Sequence, residues 1–224
     1  MRFERFSVDS KNAHLPRWHG LDADFAKLLL DSAECRYQFM DLPWARAMDS
    51  LKAGALGLML SVSKTTEREQ YFYFIGPQRI ETIVLAMDKD NVYDIKQLSD
   101  LVNLPKPIAV HRNAYYGEAF QALLDNHPEH FITVVDNAVK LELLARNKIS
   151  GFLEEKGNLI YQHQMNPKFA HIYIDDFVIN SDPVYFAFSR KALSQIQLDK
   201  IKRVFQSSDY QNAHLRLLQK YGLE

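Results

Sequence analysis

The chain has 224 residues, 47% of them hydrophobic, enough for one large domain or two small lobes with a core that needs no disulfide staples. Its net charge is −1 and its Lys and Arg are scattered, which excludes the footprint of a nucleic-acid binder and a polybasic membrane patch. The single cysteine, Cys35, can close neither an intrachain disulfide nor a CxxC metal motif, and no segment reaches the roughly 18 apolar residues of a transmembrane helix.

In chain order, the stripe Leu21, Phe25, Leu28 and Leu29 predicts a helix over Asp22 to Ala33, followed by a strand at Tyr37 to Leu42 and a helix at Trp44 to Lys52. Leu56 to Leu60 carries almost no polar side chain and predicts a strand buried on both faces. A further strand is predicted at Ile80 to Met87, ending in the charged turn MDKDN, which suits a crossing between lobes. A second unit then begins: helix Asp94 to Val102, strand Pro107 to His111, helix Tyr115 to Leu124, strand Phe131 to Val135. Asp136 is placed to cap a helix over Asn137 to Arg146. Ile149 to Leu153 is another buried strand, leading through Glu154 and Glu155 into a helix with Leu159 and Tyr161. Strands at His171 to Ile174 and Val184 to Ser189 follow. Two amphipathic helices end the chain, one marked by Ile201, Val204 and Phe205, the other by Leu215, Leu218 and Tyr221. Such alternation predicts an α/β protein in two lobes, 1–87 with 184–224 and 88–183, joined by two hinge crossings near Met87 and Pro183.

The segment from Pro43 to Pro77 carries the chemistry. Its apolar strand runs into Ser61, Ser63, Thr65 and Thr66, short hydroxyls with free backbone N–H groups, and then Arg68, a planar fork suited to bidentate pairing with a carboxylate. Read locally, the same residues are also a Ser/Thr-capped helix start with a surface Arg. No Ser/His/Asp set, glycine-rich phosphate loop or metal-ligand cluster stands out, and the eight histidines are dispersed.

This segment resembles the signature of the bacterial extracellular solute-binding proteins of family 3, the receptors of polar amino-acid ABC transporters. The matching residues are Trp44, Leu51, Gly54, Ser63, Thr65, Glu67, Arg68, Phe74 and Pro77. Upstream, Gly20 to Ala26 is similar to the family's opening helix, with Asp22 and Asp24 in its first turn. Downstream, Val184 to Arg190 and Tyr210 to Leu223 resemble the returning strand and the closing helix. The resemblance implies a two-lobed periplasmic-binding-protein fold of type II with a ligand cleft between the lobes.

The resemblance also implies roles. Arg68 with Ser61, Ser63 and Thr65 would hold the α-carboxylate of an amino acid or related solute. Trp44 would stack on it, or else is a core Trp beneath Pro43, and Glu155 would meet the ammonium, or else is an exposed helix-start acid. Where the family has small residues before a helix of its second lobe, this chain has His111, Arg112, Asn113, Ala114, Tyr115 and Tyr116. That bulky loop would fill the site, shrink it, or add an Arg that attracts a more acidic ligand. Asp9 and Trp18 are candidates for the aromatic wall that relatives build near their N-terminus.

The implied partners are a small carboxylate-bearing ligand and a membrane ABC permease, with a periplasmic location, a monomeric state, and no cofactor, metal or nucleic acid. The N-terminus lacks the apolar core of a secretory signal, so either the export signal has been removed from this chain or the protein is not exported, and the resemblance to an exported family favours the first. Two other classes fit the resemblance: a sensor or partner-docking domain, and a cyclohexadienyl-dehydratase-like enzyme using Glu154 or Glu155 with Arg68 and Arg112. Against the enzyme, no paired acid/base motif is visible.

Overall fold

The computed structural model describes Trp18 and residues 20–223; Asp9 lies outside the described residues. The chain divides into two compact units. The central unit comprises Pro43–Ala45 and Glu81–Asp182, and the terminal unit comprises the described part of Arg2–Leu42, Arg46–Ile80 and Pro183–Glu224.

In the terminal unit, α1 (Leu21–Ser32) buries Leu21, Phe25, Ala26 and Leu29, the stripe its 3.6-residue period predicts. Helix α2 (Trp44–Ala53) buries Ala47, Met48 and Leu51, and its first two residues fall in the central unit. Strand β1 (Leu58–Ser63) runs antiparallel to the end of β6 (Ile172–Ser189), with Leu58 opposite Phe188 and Ser63 opposite Val184. Helices α7 (Gln195–Phe205) and α8 (Ser208–Lys220) complete this unit, each started by a serine cap, Ser194 and Ser207. Phe25 meets Phe186 edge-on and stacks on His214 of α8 at 4.6 Å between centroids.

The central unit is built on the second part of β2 (Phe72–Asp88), then β3 (Ile108–His111), α4 (Glu118–Asn126), β4 (Phe131–Val134), α5 (Asn137–Ala145), β5 (Gly151–Glu155), α6 (Lys156–Met165) and the first part of β6. Strands β3, β4 and β5 are parallel, whereas β2 runs antiparallel to β5. Both faces are covered. Leu85, Met87, Ile108, Val110, Phe120 and Leu153 form one core, and Val84, Ala86, Ala109, Leu144, Phe152 and Leu159 form the other. That is why these strands read as nearly continuous apolar runs. Hydrogen-bonded neighbours follow the order β1-β6-β2-β5-β3-β4, and the chain passes between units inside β2 and inside β6.

Several predicted elements differ. Tyr37 to Leu42 forms no strand among the described residues; Tyr37 and Met40 are exposed, and β propensity without a laddered neighbour does not make a strand. The strand predicted at Leu56 to Leu60 is displaced to Leu58–Ser63, because Ser61 adopts φ +54° at a register break between Met59 and Val62 and the strand resumes after it. In place of a helix over Asp94 to Val102 there is a 3₁₀ turn, Leu98–Asn103, set by a capping box between Gln97 and Asp100. The helix predicted from Tyr115 starts at Glu118, since Tyr116 is drawn into the core and Gly117, at φ +90°, makes the turn. The strands predicted at His171 to Ile174 and Val184 to Ser189 are the two ends of β6, a single strand of 18 residues.

Candidate functional site

In the terminal unit the chemistry begins where β1 ends. Thr65 is the N-cap of the single-turn helix α3 (Thr66–Glu69), its hydroxyl accepting from the Arg68 N–H at 3.3 Å. The Arg68 side chain folds back so that Nη1 donates to the Ser63 carbonyl at 2.9 Å, leaving the residue only 8% exposed. Ser63, Thr65 and Arg68 are therefore one assembly. Its outer side is braced by ion pairs Lys52–Glu67 (3.0 Å) and Lys64–Glu69 (2.8 Å). Arg190 donates from Nε to the Glu69 carbonyl at 3.0 Å and lies 4.1 Å over the Tyr73 ring.

Ser61 belongs to a different arrangement. Its hydroxyl donates to Asp22, 3.1 Å from Oδ1 and 3.2 Å from Oδ2, and its N–H donates to Gln78 Oε1 at 3.1 Å. Gln78 Nε2 also donates to Asp22 (3.1 Å), and Arg79 Nη2 lies 3.4 Å from the Ser61 oxygen. All four residues are buried, so the Ser61 hydroxyl serves a core network beneath the turn rather than its rim. Asp22, expected as a helix-dipole acid, is the hub of that network.

In the central unit, Glu155 is the last residue of β5 and the N-cap of α6. Its Oε1 accepts from the Gly157 N–H at 3.0 Å and its Oε2 from the Asn158 N–H at 2.7 Å, which fixes the carboxylate in place. The residue is buried rather than an exposed helix-start acid, and Oδ1 of the buried Asn158 nearby has no hydrogen-bond partner. One residue back, Glu154 is buried and paired with Lys140 of α5 (3.3 Å), which is itself buried. Burial alone pushes the Glu154 carboxyl up, but the Lys140 ammonium, His111 and the Glu155 N–H hold it below the usual carboxylate range. Burial pulls the Lys140 amine below its ordinary value, opposed by Glu154. Sequence reasoning missed Lys140. The signal was its i, i+4 spacing from Leu144, which puts both on one buried face of α5.

The loop from His111 is shaped by its backbone. The Arg112 N–H donates to the Val134 carbonyl (2.8 Å), Asn113 sits at φ +61°, and the Ala114 N–H reaches back to the His111 carbonyl (3.3 Å). Tyr116 turns inward, packs edge-on against Phe120, and receives the His111 N–H on its hydroxyl at 2.9 Å; burial raises its hydroxyl well above the ordinary value. Arg112 and Asn113 are exposed, Ala114 and Tyr115 half-buried. Trp44 is half-buried too, and its indole Nε1 donates to the Asn113 carbonyl at 3.3 Å, so Trp44 and this loop are brought together. Trp18 packs on Phe39, ring centroids 5.5 Å apart. No group of three or more His, Cys, Asp or Glu able to hold a metal ion occurs among the described residues, and no helix among them is long and apolar enough to cross a membrane.

The family model of the bacterial extracellular solute-binding proteins, family 3, matches residues 2–221, and the chain belongs to that family. Solved structures share the fold over nearly the whole length. An ancestral arginine-binding protein bound to glutamine matches with a TM-score of 0.80 and 16% identity, covering 99% of this chain and 94% of that one. A histidine kinase sensor domain with similarity to periplasmic binding proteins gives 0.79 and 14%, covering 98% and 91%. An ancestral amino acid-binding protein, a precursor of cyclohexadienyl dehydratase, gives 0.75 and 19%, covering 100% and 92%. No curated protein sequence matches significantly. The architecture is thus the mixed α/β fold of the periplasmic binding proteins.

Proposed function

We propose that the chain is an extracytoplasmic receptor that captures an amino acid or a close carboxylate-bearing relative and delivers it to an ABC permease. The observation that carries this reading is that each unit, taken by itself, offers a charged side chain held in place by local hydrogen bonds. Arg68 is held on the Ser63–Thr65 turn after β1, and Glu155 is held on the α6 amides at the end of β5. An amino acid carries a carboxylate of the kind that suits a guanidinium and an ammonium of the kind that suits a carboxylate. Charge-assisted hydrogen bonds contribute about 1.5–3 kcal/mol each. Several of them, less the costs of association, leave about −8 kcal/mol, or micromolar affinity. Trp44 and the His111–Tyr115 loop, brought together in the unit that also holds Glu155, supply aromatic and polar surface. Family membership and the amino-acid-binding proteins that share the fold support the same ligand class.

The test is a thermal-shift screen against the proteinogenic amino acids, their common derivatives and small dicarboxylates. A ligand at a hundred times its Kd stabilises by about 2.7 kcal/mol. A shift confined to one compound class and lost in Arg68→Ala is the expected result. A shift retained in Arg68→Ala overturns the assignment of Arg68, and no shift with any compound overturns the receptor reading in favour of a sensor or partner-docking role.

A further inference from the structure

A buried ion pair is an expensive feature, since desolvating both charges offsets much of their attraction. Lys140 and Glu154 are 1% and 4% exposed, and hydrophobic residues of similar volume would fill the same space. Their hydrogen bonds show what the pair holds. Lys140 Nζ donates to the Leu153 carbonyl at 2.9 Å as well as to Glu154 Oε2, and Glu154 Oε1 accepts from the Glu155 N–H at 3.0 Å. The pair is thereby tied to the backbone on both sides of residue 154, at the end of β5. Sheet support thins out at that end. The register with β3 stops at Ala109 opposite Phe152, while β2 alone continues, with Ile83 opposite Glu155.

Side chains alternate along a strand, so Glu154 shares a face with Phe152, over whose ring Lys140 lies at 5.6 Å, and Glu155 projects from the other face. The pair therefore acts on Glu155 through the main chain. We propose that Lys140 and Glu154 are positioning residues for Glu155: they lock the last residues of β5, and with them the orientation in which the Glu155 carboxylate is offered to a ligand ammonium. This inference rests on the reading of Glu155 as a ligand-facing acid, and its test separates the two.

Three proteins are compared: wild type, Lys140→Met, and Lys140→Met/Glu154→Leu. The single variant leaves Glu154 buried and unpaired and will lose stability; the double variant removes both charges and recovers much of it. Both variants lose the Lys140 bond to the Leu153 carbonyl, and the double variant also loses the Glu154 bond to the Glu155 N–H. Amide hydrogen exchange at Glu155, Gly157 and Asn158 reads the position of the cap without any ligand. The expected result is exchange faster by about tenfold or more at these three amides in both variants, beyond any change at the amides of β4. The ligand found in the screen should bind the double variant about tenfold more weakly even though its melting temperature has recovered. If local protection and affinity return with the melting temperature in the double variant, the pair is structural only and the inference is overturned. If wild type binds none of the screened compounds, the receptor reading fails, and the exchange pattern still decides whether the pair positions Glu155.

Discussion

Glu155 bears two loads, and a pair of substitutions separates them. Its carboxylate caps α6 through two amide bonds, at 3.0 and 2.7 Å, and is proposed to meet a ligand ammonium. Glu155→Ala removes the cap entirely, which costs about 2 kcal/mol, the upper range for an N-cap truncation, because two donors lose their partner. Glu155→Gln keeps one oxygen for the amides and costs about 1 kcal/mol, but it removes the charge that an ammonium requires. The loss of one charge-assisted bond is about 1.5–3 kcal/mol, which weakens binding by about tenfold to a hundredfold. Urea unfolding reads the stability, and titration calorimetry with the ligand found by thermal shift reads the affinity. The reasoning predicts that Gln sits between wild type and Ala in stability but close to Ala in affinity. A Glu155→Gln protein that binds as wild type refutes it, and leaves Glu155 as a cap alone.

Ser61→Ala removes a donor from the buried Asp22 carboxylate and is expected to cost about 1–3 kcal/mol in urea, with the fold retained; a change under about 0.5 kcal/mol would show that the network tolerates the gap. The Glu154 carboxyl is held below the ordinary glutamate value of 4.5, so its stabilising contribution is complete above pH 4.5 and is lost as pH falls from there through the folded value. The stability difference between wild type and Lys140→Met/Glu154→Leu, followed by urea melts from neutral pH down, should therefore shift against wild type below pH 4.5. A difference independent of pH across that range would mean that the Glu154 pKa does not change on folding, and a shift in wild type's favour at low pH would mean that its pKa is raised rather than lowered.

Most of the α/β order was legible because buried parallel strands impose an apolar run that few other elements require. The cap at Asp136 was legible for a local reason: its carboxylate accepts from the Ala138 N–H within the same turn. Elements that depend on distant partners were less visible. Ser61 reads as part of a hydroxyl-bearing turn, yet its destination is set by Asp22 and Gln78, 39 and 17 residues away. Tyr116 sits in what reads as a helix start, and the Phe120 contact and the His111 N–H take it into the core instead. The Arg68 turn was legible in composition, because Thr65 caps Arg68 locally; that Arg68 would bend back onto Ser63 was not. Lys140 shows the opposite error, in which a residue type usually solvated is buried because one carboxylate and one carbonyl await it.

The fold by itself is shared by an ancestral arginine-binding protein, a histidine kinase sensor domain and an ancestral amino acid-binding protein that is a precursor of cyclohexadienyl dehydratase, with TM-scores from 0.75 to 0.80. Side-chain chemistry narrows the choice. A dehydratase of the kind considered above needs a carboxylic acid that gives a proton to a leaving hydroxyl, and such an acid must be protonated and hydrogen-bonded as a donor. Glu154 is paired with Lys140, which lowers its carboxyl pKa, and it accepts, rather than donates, at the Glu155 N–H. Glu155 accepts at both oxygens from Gly157 and Asn158. Both acids at the end of β5 are therefore arranged as fixed acceptors, which is what recognition of an ammonium asks for and the reverse of what proton donation asks for. That arrangement supports the proposed role of the end of β5 in binding.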